Sequence, residues 1–254
     1  MTDEPGNTAG QNTINTLVGP SDFPTTRWTL VVAAADPQRK DARPALVSLC
    51  EGYWYPLYAS IRRRGYPADE AQDLTQEFFI RLLDGRYLDR ADPDKGRFRA
   101  FLLTSVKFFL ADEADRNRAQ KRGGGNVLSL EFPSGEERYQ REPGHDETPE
   151  RIFERRWALA VLDRVMEKLR SEFVQNGRLE HFERLKVVLL GHSDAPYATL
   201  ACEMNISEGA LKVAVHRLRK RYRELFRQEI ADTVADPGDV ESELRFLAAA
   251  LTRK

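Results

Sequence analysis

Residues 197–221 read YATLACEMNISEGALKVAVHRLRKR. Two helices with a break between them are legible in this stretch. Tyr197 to Met204 forms a short helix and Asn205-Ile206 a turn. Ser207 is an N-cap whose side-chain oxygen can accept from a backbone N–H of the next turn. The second helix is expected from Ser207 to Gln228. Leu211, Val215, Leu218, Tyr222 and Leu225 step by four and three, which makes one apolar stripe. Lys212, His216, Arg219 and Arg223 follow another face, and Arg217, Lys220 and Arg221 widen the positive surface. A helix with one buried stripe and a basic remainder suits docking in a DNA major groove. A charge run alone usually marks a solvated face. Here the preceding short helix and the capped turn favour a DNA-reading helix-turn-helix.

Upstream, the pattern stays helical. A short apolar helix is expected from about Trp28 to Ala35, and Asp36-Pro37 stops it. A second runs from about Ala42 to Arg64, with Leu46, Leu49, Tyr53, Leu57 and Ile61 at helical spacing and Pro56 as a kink. Pro67-Ala68-Asp69-Glu70 opens a third, because Pro fits the first turn and acids suit the positive end of the helix dipole. A fourth spans about Arg97 to Arg122. Residues 123–148 hold Gly, Pro, Ser and many acids and read as a flexible linker. Thr148 then caps a long helix, about Pro149 to Gln175, on which Phe153, Trp157, Val161, Val165, Leu169 and Phe173 recur every four residues. Another helix is expected from Leu179 to Leu190. Beyond Asp236-Pro237-Gly238 a small amphipathic helix carries Val240, Leu244, Leu247 and Leu251 on one face. Such a regular short helix should dock on its own chain or on a partner.

The fold class read from this pattern is all-α: two helical domains joined by a flexible linker, the C-terminal one a helix-turn-helix. The divisions are a disordered lead at 1–22, a first domain at 23–122, the linker at 123–148, a second domain at 149–230 and a C-terminal extension at 231–254.

Composition narrows the function. The 254 residues carry 39 Lys and Arg against 40 Asp and Glu, so any nucleic-acid surface must arise by local clustering. Cys50 and Cys202 match no metal-ligand spacing. A reduced cytosolic compartment fits them, both thiols acting as small apolar side chains. The four histidines form no HExxH or HxxxH pair, and no metal or other cofactor is called for. No apolar run is long enough to span a bilayer, so membrane insertion is not expected. Met1 to Asp22 lacks the basic start and apolar middle of a signal peptide.

Two further stretches carry chemistry. Residues 69–79, DEAQDLTQEFF, set Asp69, Asp73, Gln76 and Glu77 beside an apolar stripe of Leu74, Phe78 and Leu82. Paired acids on a helix are most often solvent-facing. No nucleophile or metal ligand accompanies them, so an acid/base dyad for a helical hydrolase or transferase is a poor reading. A surface for a basic helical partner is the better functional one. Residues 98–122, FRAFLLTSVKFFLADEADRNRAQKR, interleave aromatic and basic residues, as contacts to unpaired bases require. Most of the aromatics read as core, and Lys107, Arg116 and Arg118 as nucleic-acid contacts.

The order of these stretches resembles the two domains of extracytoplasmic-function sigma factors, non-enzymatic subunits that bring RNA polymerase to particular promoters. The likeness covers about Trp28 to Gln228. DLTQEFF resembles the motif that grips the polymerase clamp helices, and YATLACEMNISEGALKVAVHRLRKR resembles the minus-thirty-five reader. TPERIFERRWALAVLDRV and TVADPGDVESELRFLAAAL look like a subgroup with a C-terminal extension. The resemblance implies core polymerase binding at Asp69, Asp73, Gln76, Glu77 and Phe78. It implies minus-ten DNA contacts at Lys107, Asp112, Arg116 and Arg118. It places minus-thirty-five contacts at Ser207, Glu208, Lys212, Val213, His216, Arg217, Arg219 and Lys220. Val213 stands where many members have Ser, and residues 178–194 are longer than the usual segment. The implied partners are core RNA polymerase, promoter DNA and an anti-sigma factor or other protein regulator, and the implied compartment is the cytoplasm. The competing reading is a stand-alone helix-turn-helix regulator with a helical partner-binding domain. It leaves DLTQEFF and the 98–122 helix as coincidences.

Overall fold

The computed structural model describes residues 31, 34, 36, 38–83, 88, 91–92, 96–119, 135–142, 147–189, 197–231, 233–234 and 236–252. The lead at 1–22, most of the expected first helix and much of the expected linker lie outside these residues. Among the described residues there is no strand.

Helix α1 (Ala42–Arg63) runs through Pro56 without interruption. Gly65, at φ +95°, turns the chain, and the amides of Arg64 and Gly65 close the last carbonyls of Ile61 and Arg62. Helix α2 (Ala68–Leu83) starts on the Pro67 carbonyl, with Asp69 and Glu70 in its first turn. Helix α3 spans Phe98–Ala119. The expected stripes meet in one core: Leu49, Tyr53, Leu57 and Ile61 of α1, Phe78 and Leu82 of α2, and Leu102, Val106 and Phe109 of α3.

Part of the expected linker is ordered. Residues Gly135–Gln140 form a short helix, α4, against α1. Gly135 allows the approach, since a Cβ there would come within 2.7 Å of the Trp54 ring and 2.9 Å of Tyr58. Glu136 then accepts from the Tyr58 hydroxyl at 2.6 Å and from Arg62 at 2.9 Å, while the Arg62 guanidinium lies 4.8 Å from the Tyr139 ring centroid. These partners are 74 to 78 residues apart in sequence, so composition around Gly135 gives no hint of them.

Helix α5 (Pro149–Gln175) begins where the sequence places it, with the Arg151 amide donating to the Thr148 hydroxyl. Its two halves serve two cores. Ile152, Phe153, Trp157, Ala158 and Val161 enter the first core. Val165 and Leu169 enter a second, built with α6 (Leu179–Leu189), α7 (Tyr197–Glu203) and α8 (Glu208–Ala231). Full burial of each large apolar side chain contributes about 1.5–3 kcal/mol, so α5 is anchored strongly at both ends. A stripe repeating every four residues is the same whichever core each turn faces. The sequence therefore shows the helix but not its division.

Ile230 at the end of α8 returns to the first core. A 3-10 turn, Pro237–Asp239, leads into α9 (Val240–Thr252). Leu247 is fully buried, with Val240, Leu244 and Leu251 against the same core, so the expected stripe docks on its own chain.

Candidate nucleic-acid interface

The turn between α7 and α8 is closed by backbone geometry. Asn205 has φ 53°, its amide bonds to Cys202, and the Ile206 amide reaches back to Ala201. This pattern ends a helix on a left-handed residue, a conformation that Asn adopts more readily than most side chains do. The Ala210 amide donates to the Ser207 hydroxyl at 3.2 Å, so Ser207 is the N-cap expected. Leu211, Val215, Leu218 and Leu225 are buried, which fixes the roll of α8. Two exposed strips remain. Lys212, His216, Arg219 and Arg223 line one groove with Leu189, Tyr197, Val215 and Tyr222. Val213, Arg217 and Lys220 form the adjoining strip, and Val213 is 50% exposed.

Within these strips charges are already paired. Glu208 and Lys212 meet at 2.6 Å one turn apart, and the pair raises the Lys212 pKa. Lys220 stands 4.0 Å from Glu224. Arg221, although exposed, has its charge paired. It bonds Glu172 of α5 at 2.5 Å, so it ties two helices together. Cys202 is exposed and so does not act as a buried apolar side chain. Cys50 does, and burial pushes its thiol up to about 12.

The α2 residues divide by depth. Asp69 and Asp73 are exposed, Gln76 is buried and Glu77 lies between. Phe78 is fully buried, its ring 5.6 Å from Phe109 and 5.9 Å from Phe79, so it supports the helix from within. Glu77 joins a chain of charges to α3. Arg81 meets Glu77 at 2.8 Å and Glu113 at 2.6 Å, and Glu113 also takes Arg116 at 2.9 Å. The structure thus brings the acidic surface and the basic helix together through Arg81, a residue the sequence reading passed over.

On α3 the exposed face holds Lys107, Phe108, Asp112 and Arg116. Phe108 is 66% exposed, although Phe98 and Phe109 are core as expected. An exposed aromatic beside a lysine can stack on an unpaired base. Sequence alone could have found it, because Phe108 falls off the Leu102–Val106–Phe109 stripe. Lys107 pairs with Glu150 at 3.0 Å. The Arg118 side chain lies outside the described residues.

Among the described residues, no group of three His, Cys, Asp or Glu could hold a metal ion, and no helix is long and apolar enough to cross a membrane. Residues 52–120 match the family of sigma-70 region 2. The match takes in most of α1 and all of α2 and α3, and it supports a sigma-70 family RNA polymerase sigma factor, a class of transcription initiation factors and not of catalysts. No curated protein and no solved structure matches the chain.

Proposed function

We propose that this chain is a sigma factor of the extracytoplasmic-function type with a C-terminal extension. It binds core RNA polymerase and directs promoter-specific initiation. The observation that carries the reading is the region 2 match over residues 52–120. In this reading residues 23–122 bind polymerase and the minus-ten element. Residues 149–230 bind the minus-thirty-five element, and the protein works in the cytoplasm, where its partners are. Asp69 and Asp73 give α2 an exposed acidic edge for a basic partner, with Gln76 and Phe78 beneath it and Glu77 beside it. Lys107, Asp112, Arg116 and Arg118 serve the minus-ten element. The capped basic helix α8 serves the other element, with Ser207, Glu208, Lys212, Val213 and His216 on its early turns and Arg217, Arg219 and Lys220 following.

Charge reversal of Asp69 and Asp73 tests the polymerase contact. Glu77 is left intact because its reversal would also disturb Arg81 and the α2–α3 tie. Loss of close, desolvated interface charge pairs costs about 2–5 kcal/mol. The double variant should keep its helix content and lose affinity for core polymerase. Binding equal to the wild type would remove α2 from the interface.

A further inference from the structure

A cavity of about 420 Å³ lies where the start of α3, the first turns of α5 and one side of α9 meet. Each element gives it one arginine: Arg97 just before α3, Arg151 of α5 and Arg245 of α9. Among the described residues that line it, Glu154 is the one carboxylate, so three positive charges stand against one negative and the net is +2. The charges behind the wall leave that balance unchanged. Glu243, 1% exposed, reaches Arg97 at 2.7 Å and also pairs with buried Arg99, and those two charges cancel. Nearby acids are drawn elsewhere, Glu241 to Arg227 and Glu150 to Arg64 and Lys107.

The remaining wall is apolar. Leu247 points into the core and docks α9, while Phe246 and Ala249 line the cavity beside it. The small side chain at Ala249 leaves the space open. The Arg99 guanidinium lies 3.8 Å from the Phe246 ring centroid, a cation–π contact that holds the ring in place.

Gathering three guanidinium groups around one space costs free energy through mutual repulsion, which grows as water is excluded. Arg97 has a part in the fold, since it holds Glu243 and donates to Ser242 at 2.7 Å. Arg245 donates from Nε to the Glu241 carbonyl at 3.3 Å. A guanidinium has five N–H donors in a planar fork, so these bonds leave donors for a ligand. The fork matches phosphate oxygens two at a time. A carboxylate would cancel half of the +2, whereas a phosphate monoester carries about −1.5 to −2 at pH 7 and cancels most of it. The apolar wall favours an organic body on that phosphate, and the volume falls within the roughly 300–1,000 Å³ of small-molecule sites.

We propose that this cavity binds a small organic phosphate monoester of up to mononucleotide size, its phosphate held by Arg97, Arg151 and Arg245 and its body against Phe246 and Ala249. None of these residues is assigned to polymerase or DNA, so the site stands or falls separately from the sigma factor reading.

Calorimetric titration of the full chain with phenyl phosphate, adenosine monophosphate and guanosine monophosphate tests the site, with inorganic phosphate and adenosine as partial ligands. At least one monoester should bind once per chain, about tenfold or more tighter than either partial ligand. It should also raise the melting temperature, because a site built from three separated elements is lost on unfolding. Its affinity should fall between about pH 7.5 and 5.5, as the second ionisation of the phosphate, near pH 6, is reversed. Arg245→Gln should weaken it by about tenfold or more, the effect of losing a hydrogen bond to a charged group. Ala249→Phe fills the cavity with every charge in place and should abolish binding. Arg170→Gln, near the other end of α5, should bind like the wild type. Melting of the unliganded variants reads their folding separately. No saturable binding of any monoester up to about 5 mM overturns the site. Wild-type affinity in both Arg245→Gln and Ala249→Phe overturns it too, as does inorganic phosphate binding as tightly as every monoester, or an equal loss in Arg170→Gln.

Discussion

At the scale of single residues, the roles proposed for α8 rest on where burial turns each side chain. Lys212 lies one turn past the Ser207 cap, on the end that meets base edges when a helix enters a groove. It must exchange Glu208 for DNA to do so, and solvent screens an exposed pair of this kind so that little is lost in the exchange. Lys212→Ala should therefore cost about 1–3 kcal/mol on the preferred minus-thirty-five element and little on a scrambled one. Arg219→Ala should weaken both DNAs alike and reduce the salt slope by about one unit, as loss of a phosphate contact does. Holoenzyme binding to matched promoters that differ only in the upstream element measures both. Equal losses for Lys212→Ala on the two promoters would remove it from base reading. In the first core, Phe78→Ala should lower unfolding stability by about 3–5 kcal/mol, because it empties a fully buried site between Phe79 and Phe109. A loss below 1 kcal/mol in denaturant melts would contradict its place as a core residue.

At the scale of elements, α4 shows what local pattern misses. Its six residues are too few to hold a helix in isolation, and α1 holds it through Gly135 and Glu136. The Arg62 hydrogen bond lowers the Glu136 pKa to about 2, with burial opposing and the Tyr58 hydroxyl assisting. A depressed carboxylate stabilises the docked form above its ordinary range, and that contribution is lost as pH falls from about 4.5 toward 2. Trp54, whose ring lies 5.3 Å from Tyr58, should report undocking by a fluorescence change in that window. Glu136→Gln should remove the step, and an identical titration in the variant would mean that another group causes it. Gly135→Ala should undock α4 at neutral pH, at a cost of about 1–3 kcal/mol for forcing a Cβ against two buried rings. The α7–turn–α8 unit and the long capped helix α5 were legible in sequence because their signals are local: a cap, a stripe, a turn. The contacts of α4 and α9 were not, since Glu136 and Glu243 look like surface acids until partners 74 and 144 residues away bury them. The same holds for Glu229, which burial alone would push up but which Arg164 and Lys168 keep depressed.

At the scale of the whole molecule, α5 joins two cores that the sequence reading separates at residue 149. Its first half completes the core of α1, α2 and α3, and its second half packs with α6, α7 and α8. The fold thereby sets an acidic edge, a basic helix with an exposed phenylalanine and a second, capped basic helix on one frame. Each of those parts has a solvated-surface reading alone. Together with the region 2 match they support a sigma factor role in promoter-specific transcription initiation. The measurement that tests this most directly is transcription in a purified system. Core polymerase and the full chain are incubated with genomic DNA, and the 5′ ends of the transcripts are mapped. A sigma factor yields discrete start sites that require the chain, share one upstream sequence pair, and disappear when Asp69 and Asp73 are reversed. If core polymerase starts at the same positions without the chain, or if the chain binds its DNA sites equally well with no polymerase present, the protein is not a sigma factor.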